Sequence, residues 1–202
     1  LLPADIADEL AGLRDQVKPF DSIQAKQIIR DALGQELDVL FARFDDMPLA
    51  SASIAQVHAA ALHDGQEVVV KVLRPGIEAR IREDIALMRV LADGLCRVHP
   101  HADKIRPHDV VSELESTLIA ECDLQREAAN ASLMHRLWQD SQELIIPTVF
   151  WPMIRENVLV MERVYGIPAD SVAELDRLGI DRKALAAKAV RILYRQVFRD
   201  NY

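Results

Sequence analysis

The sequence predicts an α+β fold in which a small antiparallel sheet is covered by long helices. Residues 48–73 read as a strand, a small-residue loop, a strand, a turn and a third strand, and residues 157–164 form another β-branched run. Residues 77–98 and 108–138 repeat apolar side chains at helical spacing. Because 50% of the 202 residues are hydrophobic, the chain can bury a sizeable core.

One lysine stands among valines in the strand predicted over residues 67–73. Alternation along the strand puts Val68, Val70 and Val72 on one face and Val69, Lys71 and Leu73 on the other. Since both faces are apolar, we expect both to be covered and the Lys71 ammonium to need a carboxylate or phosphate partner. The alternative is a lysine whose stem extends past an edge strand into water.

The loop before this strand, residues 48–58, is rich in alanine and serine and contains no glycine. It therefore matches neither G-x-G-x-x-G nor the P-loop. Small side chains still allow close approach to the backbone, and its hydroxyl and N–H groups can donate to phosphate oxygens. Alanine lacks the conformational freedom of glycine, so we expect a stiffer loop. A simple Ser/Ala turn in a hairpin is the alternative.

Four ordered segments, PLASASIAQVH, VVVKVLRPG, ECDLQREAAN and VLVMERVYGIP, resemble the UbiB family of atypical kinase-like proteins. The resemblance implies a protein-kinase-like N-lobe, a five-stranded antiparallel sheet with the Lys–Glu helix. It adds family-specific N-terminal helices and the first helices of a C-lobe. It also implies a role in ubiquinone biosynthesis.

The same resemblance implies a nucleotide site. Its ATP-binding residues would be Leu49, Ala50, Ser51, Ala52, Ser53, Ile54, Ala55, Gln56, Val57, Val69, Lys71, Met161, Glu162 and Val164. Residues 158–166 resemble a kinase hinge, with Met161 as gatekeeper and the Glu162 C=O and Val164 N–H facing adenine. Val69 stands where most kinases have alanine, which would narrow the adenine slot. An edge strand leading out of the sheet is the alternative.

The predicted helix over residues 108–138 carries three acidic residues of interest, Glu121, Asp123 and Glu127. Asp123 and Glu127 are one turn apart and would share a face. The resemblance implies that Glu127 pairs with Lys71, so these two are the predicted catalytic positions. Glu121 and Asp123 match an E-x-D motif thought to meet a K-x-G-Q segment, which makes them regulatory candidates. Glu113 and Glu115 are interpreted as a solvated acidic face.

The remaining elements are placed by periodicity and capping residues. Helices are predicted from Pro3 to Val17, from Ser22 to a stop at Gly34, and as a short helix or turn over Leu37–Phe44. The helix over residues 77–98 has an apolar stripe of Ile81, Ile85, Met88, Leu91 and Leu95. Strands are predicted over residues 147–151 and 157–164. Asp181 would cap a last helix with a buried stripe of Leu185, Ala189, Ile192, Leu193 and Val197.

These elements suggest three units: an N-terminal helical extension (1–45), a kinase-like N-lobe (46–165) with a long helical insertion (77–138), and the start of a helical C-lobe (166–202). The sequence contains no K-x-G-Q, no H-x-D-x-x-x-x-N and no D-F-G. The resemblance puts the first before residue 1 and the other two, with the Mg²⁺ ligands, after Tyr202. We therefore expect these residues alone not to turn over ATP.

Composition excludes several classes of function. A net charge of −8 without a basic cluster argues against nucleic-acid binding and gives no electrostatic reason to adhere to anionic lipid. No apolar run approaches the roughly 20 residues that span a bilayer. Cys96 and Cys122 are isolated, which indicates packing residues in a reducing environment. The loop histidines His99, His101 and His108 have no further ligands at metal-site spacing.

Two functional hypotheses remain. The first is an ATP-binding atypical kinase or ATPase, with Mg²⁺ on the phosphates, that supports ubiquinone biosynthesis. The second is a non-catalytic pseudokinase scaffold that organises quinone-biosynthesis enzymes. The resemblance implies that the partners of the protein would be ATP, quinone-biosynthesis enzymes, and a membrane lipid or quinone precursor. The expected location is the cytoplasmic side of the bacterial inner membrane.

Overall fold

The computed structural model describes residues 17–98 and 102–200. The helix predicted from Pro3, apart from Val17, therefore lies outside the described residues, as do His99 and His101. The helices are α1 (Ser22–Leu33), α2 (Leu37–Leu40), α3 (Ile77–Val98), α4 (Ala102–Ile105), α5 (Pro107–Glu121), α6 (Leu124–Trp138), α7 (Val172–Arg177) and α8 (Arg182–Arg195). The strands are β1 (Arg43–Phe44), β2 (Ala50–Ser51), β3 (Ala55–Ala61), β4 (Glu67–Leu73) and β5 (Val158–Glu162). A 3₁₀ turn (Trp151–Met153) precedes β5, and a π turn (Gln196–Asp200) follows α8.

The five strands form one antiparallel sheet, which confirms the predicted sheet. The hydrogen-bonded order is β1-β3-β4-β5. β1 and β2 pair with the same edge of β3, β1 at its C-terminal end and β2 at its N-terminal end. At the centre of the sheet, Lys71 of β4 pairs with Val57 of β3 and with Leu159 of β5. Lys71 is therefore on a central strand, and the alternative of an edge-strand lysine is wrong.

The fifth strand is not the one predicted. Residues 147–151 make only an isolated bridge, Val149 to Met161, before the 3₁₀ turn begins at Trp151. Pro147 and Pro152 flank this segment, and a proline cannot donate to a strand ladder. The fifth strand is instead β1, inside the segment predicted as a helix or turn over Leu37–Phe44. Only Leu37–Leu40 of that segment is helical.

Each face of the sheet is covered by a helical layer, as predicted for β4. On one face, Val68, Val70, Val72, Val158 and Val160 pack with Ile29 of α1 and with Phe41. On the other, Leu73 and Leu159 pack with α3 (Ile81, Ile85) and α6 (Leu124, Ala128). The second face carries Lys71, because paired residues in an antiparallel sheet point to the same side.

The long helix predicted over residues 108–138 is two helices. α5 ends at Glu121 and α6 starts at Leu124, and Asp123 between them has an extended backbone, with φ −116° and ψ 95°. The Asp123 carboxylate accepts a hydrogen bond from the Gln125 N–H at 3.0 Å, so it caps α6. The helix breaks here because the Asp123 carboxylate accepts from an N–H group at the start of α6 that has no partner within that helix. Asp123 therefore begins α6 and does not continue α5.

Two predicted apolar stripes are only partly buried. In α3, Ile81 and Ile85 are buried, but Leu91 is 63% exposed and Leu95 is 36% exposed. In α8, the predicted stripe is not buried; Leu185, Leu193 and Val197 are all exposed. The prediction of a buried stripe in α8 is therefore wrong, and an arginine of this helix contacts α6. Arg195 lies over the Trp138 ring of α6, 3.8 Å from the centroid.

Two smaller predictions concern the cysteines and the capping of the helices. Cys122 is buried, and burial raises the pKa of its thiol, whereas Cys96 is exposed and is not a packing residue. Gly34 ends α1 in the left-handed conformation, with φ 70°, as its predicted stop. The Asp181 carboxylate caps α8, accepting from the N–H groups of Lys183 and Ala184. Within residues 17–98 and 102–200, no helix is both long and apolar enough to cross a membrane.

Candidate functional site

Lys71 and Glu127 form the ion pair that the sequence predicts. The Lys71 Nζ lies 2.6 Å from the Glu127 Oε2. The lysine side chain is 27% exposed and the glutamate side chain 40% exposed, so both charges still reach solvent. Among the described residues the ammonium therefore has one carboxylate partner, which leaves donors that can bind a second anion.

The start of α6 holds Glu127 in place. Leu124 and Ala128 are fully buried and fix the helix against the sheet, and the Leu124 N–H donates to the Glu156 C=O at 2.8 Å. Glu127 lies in the first turn, where the helix dipole favours a carboxylate. The pair with Lys71 joins residues 56 positions apart, so it ties α6 to the centre of the sheet.

The other two acidic candidates do not join this pair. Glu121 is exposed at the end of α5, and Asp123 is the cap residue of α6. Asp123 and Glu127 therefore do not share a helical face, because the Asp123 carboxylate turns back to the Gln125 N–H. The regulatory role of Glu121 and Asp123 stays a prediction.

Residues 49–57 form a tight hairpin. The Leu49 N–H donates to the Val57 C=O at 2.7 Å, and the Ala52 N–H donates to the Ala55 C=O at 2.8 Å. At the tip, the N–H groups of Ser53 and Ile54 make no hydrogen bond within the described part of the chain. These two donors are free to bind an anion.

The predicted nucleotide-binding residues of this hairpin divide into two sets. The reachable set, exposed or half-buried, is Leu49, Ala50, Ser51, Ala52, Ser53, Ile54 and Val57. Ala55 and Gln56 are buried, at 4% and 0% exposure. Gln56 pairs with Val72, so its side chain lies on the sheet face opposite Lys71. The structure does not bring the Gln56 amide together with Lys71.

The predicted adenine-binding segment continues the sheet face of Lys71. Met161 pairs with Val69, and both are half-buried on that face. Glu162 is fixed at its backbone and its side chain, since its N–H donates to the Thr148 C=O and its carboxylate accepts from the Thr148 N–H. Val164 is 48% exposed, and its N–H has no partner in the residues described.

The surface cavities lie away from this pair. One of about 560 Å³ opens between α3, α5 and α6 and is lined by Arg82, Asp123 and Arg126 among others. Another, of about 470 Å³, lies beside the Ser/Ala hairpin and is lined by Phe20, Ser53 and Arg74 among others. Lys71 lines neither cavity, and its side chain reaches solvent beside α6 with 27% exposure.

Sequence reasoning missed Arg74 and His58 near the hairpin, and it did not predict the partner of Gln56. Arg74 bonds to the hairpin backbone and to Ser51, and Gln56 and His58 form a buried polar pair with Nε2 atoms 2.8 Å apart. The signals were present, because two polar residues alternate into an apolar face at 56 and 58 and Arg74 directly follows the strand. Burial lowers the pKa of His58, whose neutral ring has its Nδ1 3.0 Å from the Asp45 C=O.

Outside the pair, Glu115 departs from its predicted role, and His108 has an acidic neighbour. Glu115 is not simply solvated, since it forms an ion pair with Arg89 that ties α5 to α3. His108 Nε2 lies 3.3 Å from Asp93 Oδ1. Among the residues described, no group of three or more His, Cys, Asp and Glu side chains is arranged to hold a metal ion.

The sequence pattern of the ABC1 atypical kinase-like domain matches residues 12–202. The chain belongs to this family. Across all 202 residues it is 57% identical to a protein named probable protein kinase UbiB from Xylella fastidiosa (strain 9a5c). It is 58% identical over 207 aligned residues to the protein of the same name from Xanthomonas euvesicatoria pv. vesicatoria (strain 85-10). The resemblance to the UbiB family is therefore confirmed.

The family match also covers the fold. The complex structure of Rv3197 with erythromycin from Mycobacterium tuberculosis has a TM-score of 0.64 and 32% identity. That match covers 75% of this chain and 38% of the mycobacterial one. A kinase-like N-lobe with added helices is thus the fold of this ABC1 chain. The chain spans 37% of the length of the curated UbiB relatives.

Proposed function

We propose that this ABC1 chain carries the nucleotide-binding lobe of an ATP-dependent kinase-like protein that supports ubiquinone biosynthesis. The observation that carries the proposal is the Lys71–Glu127 ion pair on a central strand. A lysine held by a helix carboxylate is the arrangement with which kinase folds bind ATP phosphates.

The phosphate contacts would come from Lys71 and the hairpin. Glu127 takes one donor of the Lys71 ammonium and holds its stem extended, which leaves further donors for a phosphate oxygen. The free N–H groups of Ser53 and Ile54 supply backbone donors of the kind that cradle anions. Together they provide one charge and two neutral donors without a glycine-rich loop.

The adenine contacts would come from the segment after β5. Met161 and Val69 offer an apolar surface for the ring on the Lys71 face. The Glu162 C=O and the Val164 N–H would meet the donor and acceptor on the adenine edge. The free Val164 N–H supports this assignment.

Mg²⁺ accompanies ATP in this proposal and would neutralise charge on the phosphates. The described residues do not fit a resident metal site, because none of their acidic, histidine or cysteine side chains form a cluster of three. The ion would therefore be bound through the phosphates of the nucleotide.

The proposal for the full-length gene product goes further than these residues. It would act with quinone-biosynthesis enzymes and a membrane lipid or quinone precursor, at the cytoplasmic side of the bacterial inner membrane. These assignments rest on the family's role rather than on the geometry of the pair. A pseudokinase scaffold is the outcome that a failure of ATP binding would favour.

The test is an Mg-ATP titration of the full-length gene product, with Lys71→Met as the variant. A charge-assisted hydrogen bond contributes about 1.5–3 kcal/mol, so the dissociation constant should rise by roughly 10- to 100-fold. Lys26→Met is the matched control, since Lys26 pairs with Asp46 at 2.5 Å, away from the proposed site. Equal affinity of Lys71→Met and wild type would overturn the assignment, and no ATP binding by the wild type would overturn the proposed function.

A further inference from the structure

Arg74 joins two segments that are distant in sequence. Its Nε donates to the Ala52 C=O at 3.0 Å and its Nη2 donates to the Ser51 Oγ at 2.8 Å, both in the Ser/Ala hairpin. The same Nη2 donates to the Lys18 C=O at 2.9 Å. The Arg74 backbone N–H adds a bond to the Ile54 C=O at 2.8 Å. One half-buried side chain therefore holds the hairpin and residues 17–20 together.

Residues 17–20, named here the approach segment, are fixed to the sheet at a second point. The Phe20 N–H donates to the buried Gln56 Oε1 at 3.2 Å, and the Phe20 ring lies 5.6 Å from the Arg74 guanidinium. Gln56 in turn bonds to His58, which is fully buried. The approach segment is thus attached to β3 by a buried amide and to the hairpin by a cation.

We propose that Arg74 is a positioning residue for nucleotide binding, which fixes the Ser/Ala hairpin against the approach segment. The inference rests on the proposed function, since the hairpin is the part assigned to the phosphates. Arg74 acts through the Ser53 and Ile54 N–H groups rather than by touching nucleotide. The position of the approach segment is thereby linked to the position of the hairpin that would bind the ATP phosphates.

The chemistry of the side chain explains why an arginine is needed. A planar guanidinium presents several donors in a rigid fork, whereas a lysine ammonium is a single point charge on a flexible stem. Arg74 uses Nε and Nη2 on three acceptors that belong to residues 18, 51 and 52. A lysine would keep the charge but could not reach all three acceptors at once.

The hairpin depends on such a clamp because its tip has few bonds of its own. The Ala52–Ala55 bond closes the turn, and Ser53 and Ile54 contribute no N–H bond within the described chain. If the hairpin moved freely, ordering it on phosphate would subtract from binding. Holding it beforehand removes that cost.

The experiment compares Arg74→Gln and Arg74→Lys in the full-length gene product. Arg80→Gln is the matched control, because Arg80 lines the same cavity as Arg74 but makes no side-chain bond with the described residues. Amide hydrogen exchange is measured without nucleotide at Leu49 and Ala52, with β5 amides as an internal reference. Mg-ATP affinity is then measured for each variant.

We expect hairpin amides to exchange about tenfold faster in both Arg74 variants, with β5 unchanged, since lost hydrogen bonds loosen only that local unit. ATP affinity should fall by roughly five- to tenfold in both, and Arg80→Gln should match wild type in both measurements. Full recovery by Arg74→Lys would show that charge alone acts, which overturns the clamp. Unchanged hairpin exchange in Arg74→Gln overturns it as well.

Failure of the proposed function gives a different result. If the wild type does not bind ATP, the proposed nucleotide site is wrong. The amide exchange rates then still show whether Arg74 holds the hairpin. A general loss of folding would speed exchange in β5 too. A confined change at the hairpin therefore separates positioning from a purely structural role.

Discussion

Removing one partner of the Lys71–Glu127 pair should destabilise the fold in a way that depends on the other partner. The two variants are Lys71→Met and Glu127→Gln, which remove one charge each with little change in volume. In a double-mutant cycle the coupling energy isolates the pair from the separate effects of each change.

The size of the coupling follows from the distance and the exposure. At the 2.6 Å separation of Nζ and Oε2, Coulomb's law gives about 1.6 kcal/mol in water and about 6 kcal/mol at an effective dielectric constant of 20. Side chains 27% and 40% exposed are screened by solvent, so the expected value lies near the lower figure. Exposed pairs couple by about 0.2–1 kcal/mol. We predict about 1 kcal/mol.

The assay is urea unfolding of the nucleotide-free full-length gene product for wild type, both single variants and the double variant. The control is a second double-mutant cycle that combines Lys71→Met with Glu121→Gln. Glu121 suits this purpose because it is exposed at the end of α5. Its coupling with Lys71 should be within measurement error of zero. A Lys71–Glu127 coupling equally close to zero would refute the reasoning, as would an equal coupling in the two cycles.

Two further predictions concern the supports of the site. Stability should fall as the pH drops below about 6.5, because burial lowers the pKa of folded His58 and the unfolded chain then binds more protons. The loss of stability should level off below the pKa of folded His58. The charges of Asp46 and Lys26 also act on this pKa, in opposite directions. The His58→Gln variant should flatten the slope of the unfolding midpoint against pH. Asp123→Ala should lower stability by about 1 kcal/mol through loss of the α6 cap, measured as a lower unfolding midpoint; an unchanged midpoint would contradict the capping role.

The central pair could be predicted from sequence because a periodic pattern places Lys71 and the family resemblance implies Glu127 as its partner. Strand alternation puts Lys71 in the middle of an apolar face, and family motifs place Glu127 on the helix beside it. The burial of both sheet faces follows from the same run of valines. The position of Lys71 and the burial of both faces depend on a repeating pattern over several residues, which local sequence records well.

Other features depend on single residues or distant partners. Asp123 fits a continuous helical pattern, and only its extended backbone shows that it starts a new helix. The two-residue strand Arg43–Phe44 is too short to show alternation. The acceptors of Arg74 lie 22, 23 and 56 residues away, so no local pattern indicates its contacts. The resemblance implies Gln56 as an ATP-binding residue, although strand alternation puts its side chain on the sheet face opposite Lys71.

Chemical labelling can show directly which lysine lies beside the terminal phosphate of ATP. An ATP analogue with a reactive acyl group on that phosphate transfers the group to a neighbouring amine, and mass spectrometry identifies the labelled residue. We predict labelling of Lys71 that excess ATP prevents, with weak, unprotected labelling of Lys26. Labelling of Lys71 no stronger than that of Lys26, and unaffected by ATP, would contradict the role of Lys71 in phosphate binding.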